Sequence, residues 1–234
     1  MLPSYTLLAL GLASVSSAAV TKRLASDDIL VLGVDGTTQV MKASDFAALE
    51  ARAAAPAPID LSSFPAEPAV DRRCAWTREV QVLSDRQFLN WDVAMSPVIS
   101  SVGGKGSVTV TSGSEISNSI SVGSSVSVGS LDQIFGMSLS IEASQSWSSS
   151  YEQSLTFEVP EGHHGLIVSQ PYVRRVEGNV WSGCVDNLEK TPFMCDSYTD
   201  RTYGTDLKWV AGIIRLCSST TYPIPYCIGE GSHE

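Results

Sequence analysis

The chain is short of charge and short of catalytic groups. Only 17% of its 234 residues are Asp, Glu, Lys or Arg, and 25 acids outnumber 15 bases, for a formal net charge of −10. A protein that binds nucleic acid through phosphate neutralisation needs the opposite sign, so that class is excluded. There are only three histidines, His163, His164 and His233. Two of them are adjacent in Pro160-Glu161-Gly162-His163-His164-Gly165, which reads as a turn. No HExxH, no GxSxG and no phosphate-binding GxxxxGK[ST] occurs. Gly103-Gly104-Lys105-Gly106 lacks the spacing for the last of these and reads as a flexible joint, with Gly103, Gly104 and Gly106 as its hinge. No convergent set of groups supports an enzyme, and no cofactor or metal is expected. The five cysteines form no CxxC pair, which excludes the usual zinc frameworks. No N-x-Ser/Thr sequon is present, and no apolar run reaches the 18 or so residues of a membrane-spanning helix.

What is present is serine and alternation. Serine fills 18 of the 50 positions from 101 to 150. The even positions from Val108 to Val128 carry Val108, Val110, Ile116, Ile120, Val122, Val126 and Val128. At Gly129-Ser130 the parity flips. The odd positions then carry Leu131, Phe135, Met137, Leu139, Ile141, Trp147, Tyr151, Leu155, Phe157 and Val159, with Ile134 the one apolar exception among the even ones. Period two predicts strand, and a parity flip across two residues with Gly first predicts a two-residue hairpin turn. The expected object is one long hairpin, residues 107–159, with Val122 opposite Met137 and Ile120 opposite Leu139. Glu115, Asp132, Glu142, Glu152 and Glu158 all fall on its hydroxylated face. Any half-exposed antiparallel sheet alternates in this way, so periodicity alone also allows an ordinary sheet. Asn118, Ser112 and Ser114 interrupt the apolar face and leave 120–141 as its cleanest part.

The flanks give an order of parts. Residues 1–18 read as a secretory signal: a short apolar core, Leu7 to Val15, then small residues ending at Ala18. Secretion makes Cys184, Cys195, Cys217 and Cys227 disulfide candidates. Cys184 with Cys195 and Cys217 with Cys227 would close short loops and leave Cys74 over; other pairings are equally allowed. Residues 19–73 read as an N-terminal arm or prosegment. It holds a strand at Ile29–Val34, a turn at Asp35-Gly36, a returning strand, a helix at Phe46–Arg52 and a Pro/Ala linker. Lys22-Arg23 and Arg72-Arg73 bracket it as dibasic processing sites of the kexin type. The main domain, 74–234, opens with a strand at Trp76–Leu83 and continues with a helical turn or two in Ser84–Trp91. A strand broken at Pro171, a further short strand at Val180-Trp181, a turn-rich stretch at Asp186–Tyr203 and a last long strand at Leu207–Leu216 complete it.

Met137 to Trp147, Met-Ser-Leu-Ser-Ile-Glu-Ala-Ser-Gln-Ser-Trp, resembles the strand after the membrane-inserting loop of aerolysin-type β-pore-forming proteins. A Ser/Thr-rich alternating strand precedes it and Val159-Pro160 follows, in that family's order. The likeness covers about residues 100 to 180; the remainder resembles small secreted fungal proteins described as effector-like. What the resemblance implies is an all-β fold: elongated antiparallel sheets with one long amphipathic hairpin, preceded by a small N-terminal β/α arm. It implies a homo-oligomer that inserts the hairpin into a target-cell membrane, reached directly or through a surface receptor. The insertion residues would be Ile120, Val122, Val126, Val128, Leu131, Ile134, Phe135, Met137, Leu139 and Ile141. The alternatives are a monomeric secreted effector that binds a host protein or glycan without forming a pore, and a cell-wall structural protein.

Overall fold

A computed structural model describes residues 22–53, 76–111, 113–123, 132–142, 144–149, 155–184, 187–204 and 207–234. In chain order these form β1 (Lys22–Leu24), β2 (Asp28–Leu32), β3 (Thr38–Lys42), α1 (Ala43–Ala53), β4 (Trp76–Leu89), β5 (Val93–Ala94), β6 (Ile99–Ser100), β7 (Gly106–Thr109), β8 (Glu115–Ser117), β9 (Ser119–Val122) and α2 (Asp132–Leu139). There follow β10 (Ser146–Ser148), β11 (Leu155–Val159), β12 (His164–Cys184), β13 (Asn187–Tyr198), β14 (Asp200–Tyr203), β15 (Leu207–Val210), β16 (Gly212–Ser219), β17 (Ile224–Pro225) and β18 (Ser232–His233). The protein is mostly β, in several antiparallel sheets.

The spine is β12, 21 residues long. Along His164–Pro171 it pairs with β16 on one edge and with β5 and β6 on the other. From Tyr172 onward its partners are β4 and β13. The exchange falls at Pro171, which has no N–H to give a ladder. Asn90 N–H donates to the Pro171 carbonyl, and Tyr172 N–H donates to Ala211 O across the junction. Pro171 sits opposite Gly212. A Cβ on Gly212 would lie 2.4 Å from Gln170 O and 2.6 Å from Pro171 Cα, at a φ of +154°. Only glycine lets the backbones approach so closely. Gly212→Ala is therefore expected to lower stability by about 1–3 kcal/mol in denaturant unfolding.

The two largest of the four apolar clusters among the described residues lie on either side of this exchange. One lies around the first half of β12 and gathers Ile167, Leu155, Phe157, Val159, Trp209, Val210, Ile214 and Leu32, with Trp209 Nε1 donating to Ser169 Oγ at 2.9 Å. The other covers one face of the β4–β12–β13–β9 sheet and holds Val176, Val180, Phe193 and Cys195.

Several local expectations change. Ser84–Leu89 is the second half of β4, not a helical turn, because it pairs along β12 from Glu177 to Tyr172. The strand thought to break between Val173 and Val180 is continuous, with a bulge at Leu83 of β4 absorbing a shift between Glu177 and Gly178. Asn187–Tyr198 is a 12-residue strand, not a turn-rich stretch. The β2–β3 hairpin and α1 form where the sequence places them. They are built into the body: β2 pairs with β16, and Ile29 and Leu32 are fully buried. Residues 1–21 and 54–75, with the signal segment, the Pro/Ala linker, Ala18 and Arg73, lie outside the described residues.

Candidate functional site: a docked segment and its polar lock

Two pairings join the arms of the expected hairpin, but they lie in separate sheets and four to six residues out of the expected register. β7 pairs antiparallel with β11, Val108 opposite Phe157, and β8 pairs with β10, Ile116 opposite Trp147. Val108, Phe157 and Trp147 face inward with the parity read from the sequence. Nearer the tip the expectation fails. β9 leaves its own hairpin and pairs with β13, so Ile120 lies opposite Cys195 and Val122 opposite Phe193, not opposite Leu139 and Met137. Asn118 makes the switch. It sits between β8 and β9, 6% exposed. Its Nδ2 donates to Glu142 O at 2.9 Å, and its Oδ1 accepts from Tyr198 N–H at 3.0 Å. An amide at this position satisfies both strands where they part.

The returning strand is also interrupted. Asp132–Leu139 is helix α2. Phe135 and Leu139 are four apart, which places them on one face of a helix as well as on one face of a strand. Met137 separates the two cases. In a strand it shares their face; here it points to solvent, 73% exposed. Phe135 and Ile141 are fully buried, and Ile134, the exception to the alternation, packs beside them. Together they cover Val176, Val180, Phe193 and Cys195 on the sheet, with the rings of Phe135 and Phe193 at 4.8 Å. Each buried side chain of this size contributes about 1.5–3 kcal/mol.

A polar lock closes the end of α2. Arg174, on β12, uses Nε and Nη2 on the Asp85 carboxylate at 3.0 and 2.7 Å. Its Nη1 donates to Leu139 O, the last carbonyl of α2, at 3.0 Å. A cation there meets the negative end of the helix dipole. The Asp85 carboxylate beside it raises the Arg174 pKa above its ordinary value. The next residue, Ser140, has φ +57°, a left-handed ending usually given to Gly at about 1 kcal/mol less cost. Beneath this lock, between segment and body, is a polar cleft of about 410 Å³.

The remaining sequence candidates are distributed as follows. Val126, Val128 and Leu131 lie outside the described residues. Gly103, at φ +96°, and Gly104 form the turn between β6 and β7. Gly106 is instead a packed strand position, where a Cβ would lie 3.2 Å from Ser101 Cβ. Arg23 is exposed on β1, opposite Thr156 of β11. Cys217 and Cys227 form a disulfide. The Cys184–Cys195 pairing is not formed: Cys195 is a free thiol under α2, while Cys184 is disulfide-bonded. Burial pushes the Cys195 thiol up to about 12. Asp92 is a buried carboxylate that accepts from Gln170 Nε2 and from the N–H groups of Cys227 and Ile228, which fastens the C-terminal segment.

Sequence reading missed Arg174 and Asp85. The available signal was Arg174-Arg175 inside an apolar strand. Adjacent residues face opposite sides, so each guanidinium needs its own acid: Asp85 for Arg174 and the buried Asp196 for Arg175.

No protein-family model, curated protein or solved structure matches the chain. The aerolysin-type likeness therefore rests on its own residues.

Proposed function

We infer that the chain is a secreted β-protein of aerolysin-like architecture whose segment 115–149 leaves the sheet, pairs as a hairpin and enters a target membrane within an oligomer. One observation carries this reading. Residues 135–141 alternate like a strand, but Asp132–Leu139 is held as a helix, which leaves Met137 in solvent and Ser140 in a left-handed conformation. Extended, the same residues would place Ile120, Val122, Phe135, Met137, Leu139 and Ile141 on one face, with Glu115 and Glu142 on the other. That is the pattern a membrane barrel requires, lipid outside and water inside, and acids in the lumen would favour cations. Each arm exceeds the roughly 9–11 residues needed to span. The Cys217–Cys227 disulfide fits an oxidising compartment. Among the described residues no helix is long and apolar enough to cross a membrane.

The test is release of dye from liposomes. Leakage, together with a heat-resistant oligomer, is the expected result. No leakage at any pH, with or without proteolytic trimming, contradicts the reading. The polar cleft favours a second reading, a monomeric effector that binds a host ligand and never forms a pore.

A further inference from the structure

The cleft beneath the lock has walls from two parts of the chain. Ser140 and Gln145 belong to the docked segment; Arg86 and Gln87 belong to β4, Tyr198 ends β13, and Thr199 follows it. Its volume of about 410 Å³ lies inside the roughly 300–1,000 Å³ range of small-molecule sites. The charges around it are already matched: Arg174 is held by Asp85, and Arg86 lies 3.4 Å from Glu177. An anion would meet the Asp85 carboxylate and find the guanidinium of Arg174 engaged. An apolar ligand would strand the amides and hydroxyls of the walls. The Tyr198 hydroxyl is already held by Asn90 Nδ2 at 2.8 Å. Two primary amides, Gln87 and Gln145, with the hydroxyls of Ser140 and Thr199, offer donors and acceptors side by side. That is what neighbouring hydroxyls on a sugar ring require.

We propose that this cleft binds a neutral saccharide of about disaccharide size, and that the bound sugar clamps segment 115–149 onto the sheet. The site exists only while the segment is docked, since two of its walls leave with it. A ligand that binds one state alone displaces the equilibrium toward that state by the factor 1 + [L]/Kd, about elevenfold at ten times Kd. The effect on membranes rests on the proposed insertion of this segment; the binding does not.

The experiment uses the full chain with cellobiose, laminaribiose, mannobiose, diacetylchitobiose and lactose, each at 20 mM. Saturation-transfer NMR reads binding. The alkylation rate of Cys195, the thiol beneath α2, reads docking. The expected result is that at least one sugar binds, that the same sugar slows alkylation severalfold, and that Gln87→Ala and Gln145→Ala each weaken binding at least tenfold. Both glutamines are exposed, so unchanged unfolding midpoints are expected to show that these variants fold. Binding by none of the five sugars, or binding that neither substitution weakens, overturns the site. Binding that leaves alkylation unchanged overturns the clamp. Failure of the pore reading looks different: no variant leaks with or without sugar, while sugar binding persists.

Discussion

Oxidised Ile120→Cys protein is expected to release no dye from vesicles, with leakage lost by at least two orders of magnitude and recovered on reduction. Ile120 and Cys195 are directly opposed on β9 and β13. Opposed residues of an antiparallel pair have Cα atoms about 4.5–5.5 Å apart, within the roughly 4.4–6.8 Å that a disulfide tolerates. Cys195 is already free, so one substitution suffices. The bond would tie the proposed insertion strand to the body from within the cluster that α2 covers, and it touches neither Arg174 nor Asp85. Wild-type protein in the same reductant is the control, because Cys217–Cys227 is exposed to that reductant too. Wild-type leakage from fully cross-linked protein would show that β9 does not have to leave the sheet.

Phe135→Ala is expected to loosen α2 without unfolding the rest. Phe135 is fully buried against Phe193, and truncating such a side chain costs about 3–5 kcal/mol. An eight-residue helix falls below the roughly 12–15 residues that hold helix unaided, so the loss is borne by docking. Cys195 lies in the same apolar cluster and reports it. In the folded protein its thiol, pushed up to about 12 by burial, is inert at neutral pH. Undocking returns it toward an ordinary thiol, and 3 kcal/mol corresponds to an alkylation rate roughly 150-fold higher. Met137→Ala, at a side chain 73% exposed, should stay within about 0.5 kcal/mol of wild type. Equal alkylation rates for the two variants would mean that α2 is not what covers Cys195.

How much of this could be read from the sequence depends on what each inference needed. The inward parity of Val108, Val110, Trp147, Leu155, Phe157 and Val159 was legible, because alternation reflects only the pleat of each strand. The identity of the partner was not. Nothing in Ser119–Val122 distinguishes pairing with its own hairpin from pairing with Phe193–Asp196. Phe135 and Leu139 satisfy both periods, and Ile134 was the available hint of a helix. β12 was read in pieces because Pro171 and Gly178 are strand breakers in isolation. Neighbours rescue both: Ala211 and Asn90 take the bonds around Pro171, and Gly178 gives Phe193 room that a Cβ would remove, at 2.8 Å. The lock joins residues 89 positions apart, Asp85 and Arg174, and has no local signature. Spacing left the cysteine pairings open for the same reason: of the two short-loop options Cys217–Cys227 forms, and Cys184–Cys195 does not, because Cys195 lies under α2 in the apolar cluster of the sheet.

The central claim is that 132–139 changes from helix to membrane strand. A cysteine scan of these positions in a Cys195→Ala background, each labelled with an environment-sensitive fluorophore and measured on vesicles, tests it most directly. The account predicts that lipid-phase quenching recurs every two residues, with labels at positions 135, 137 and 139 quenched and those at 134, 136 and 138 in water. Quenching with the 3.6-residue period of a helix, or spectra unchanged from the free protein at every position, would contradict it.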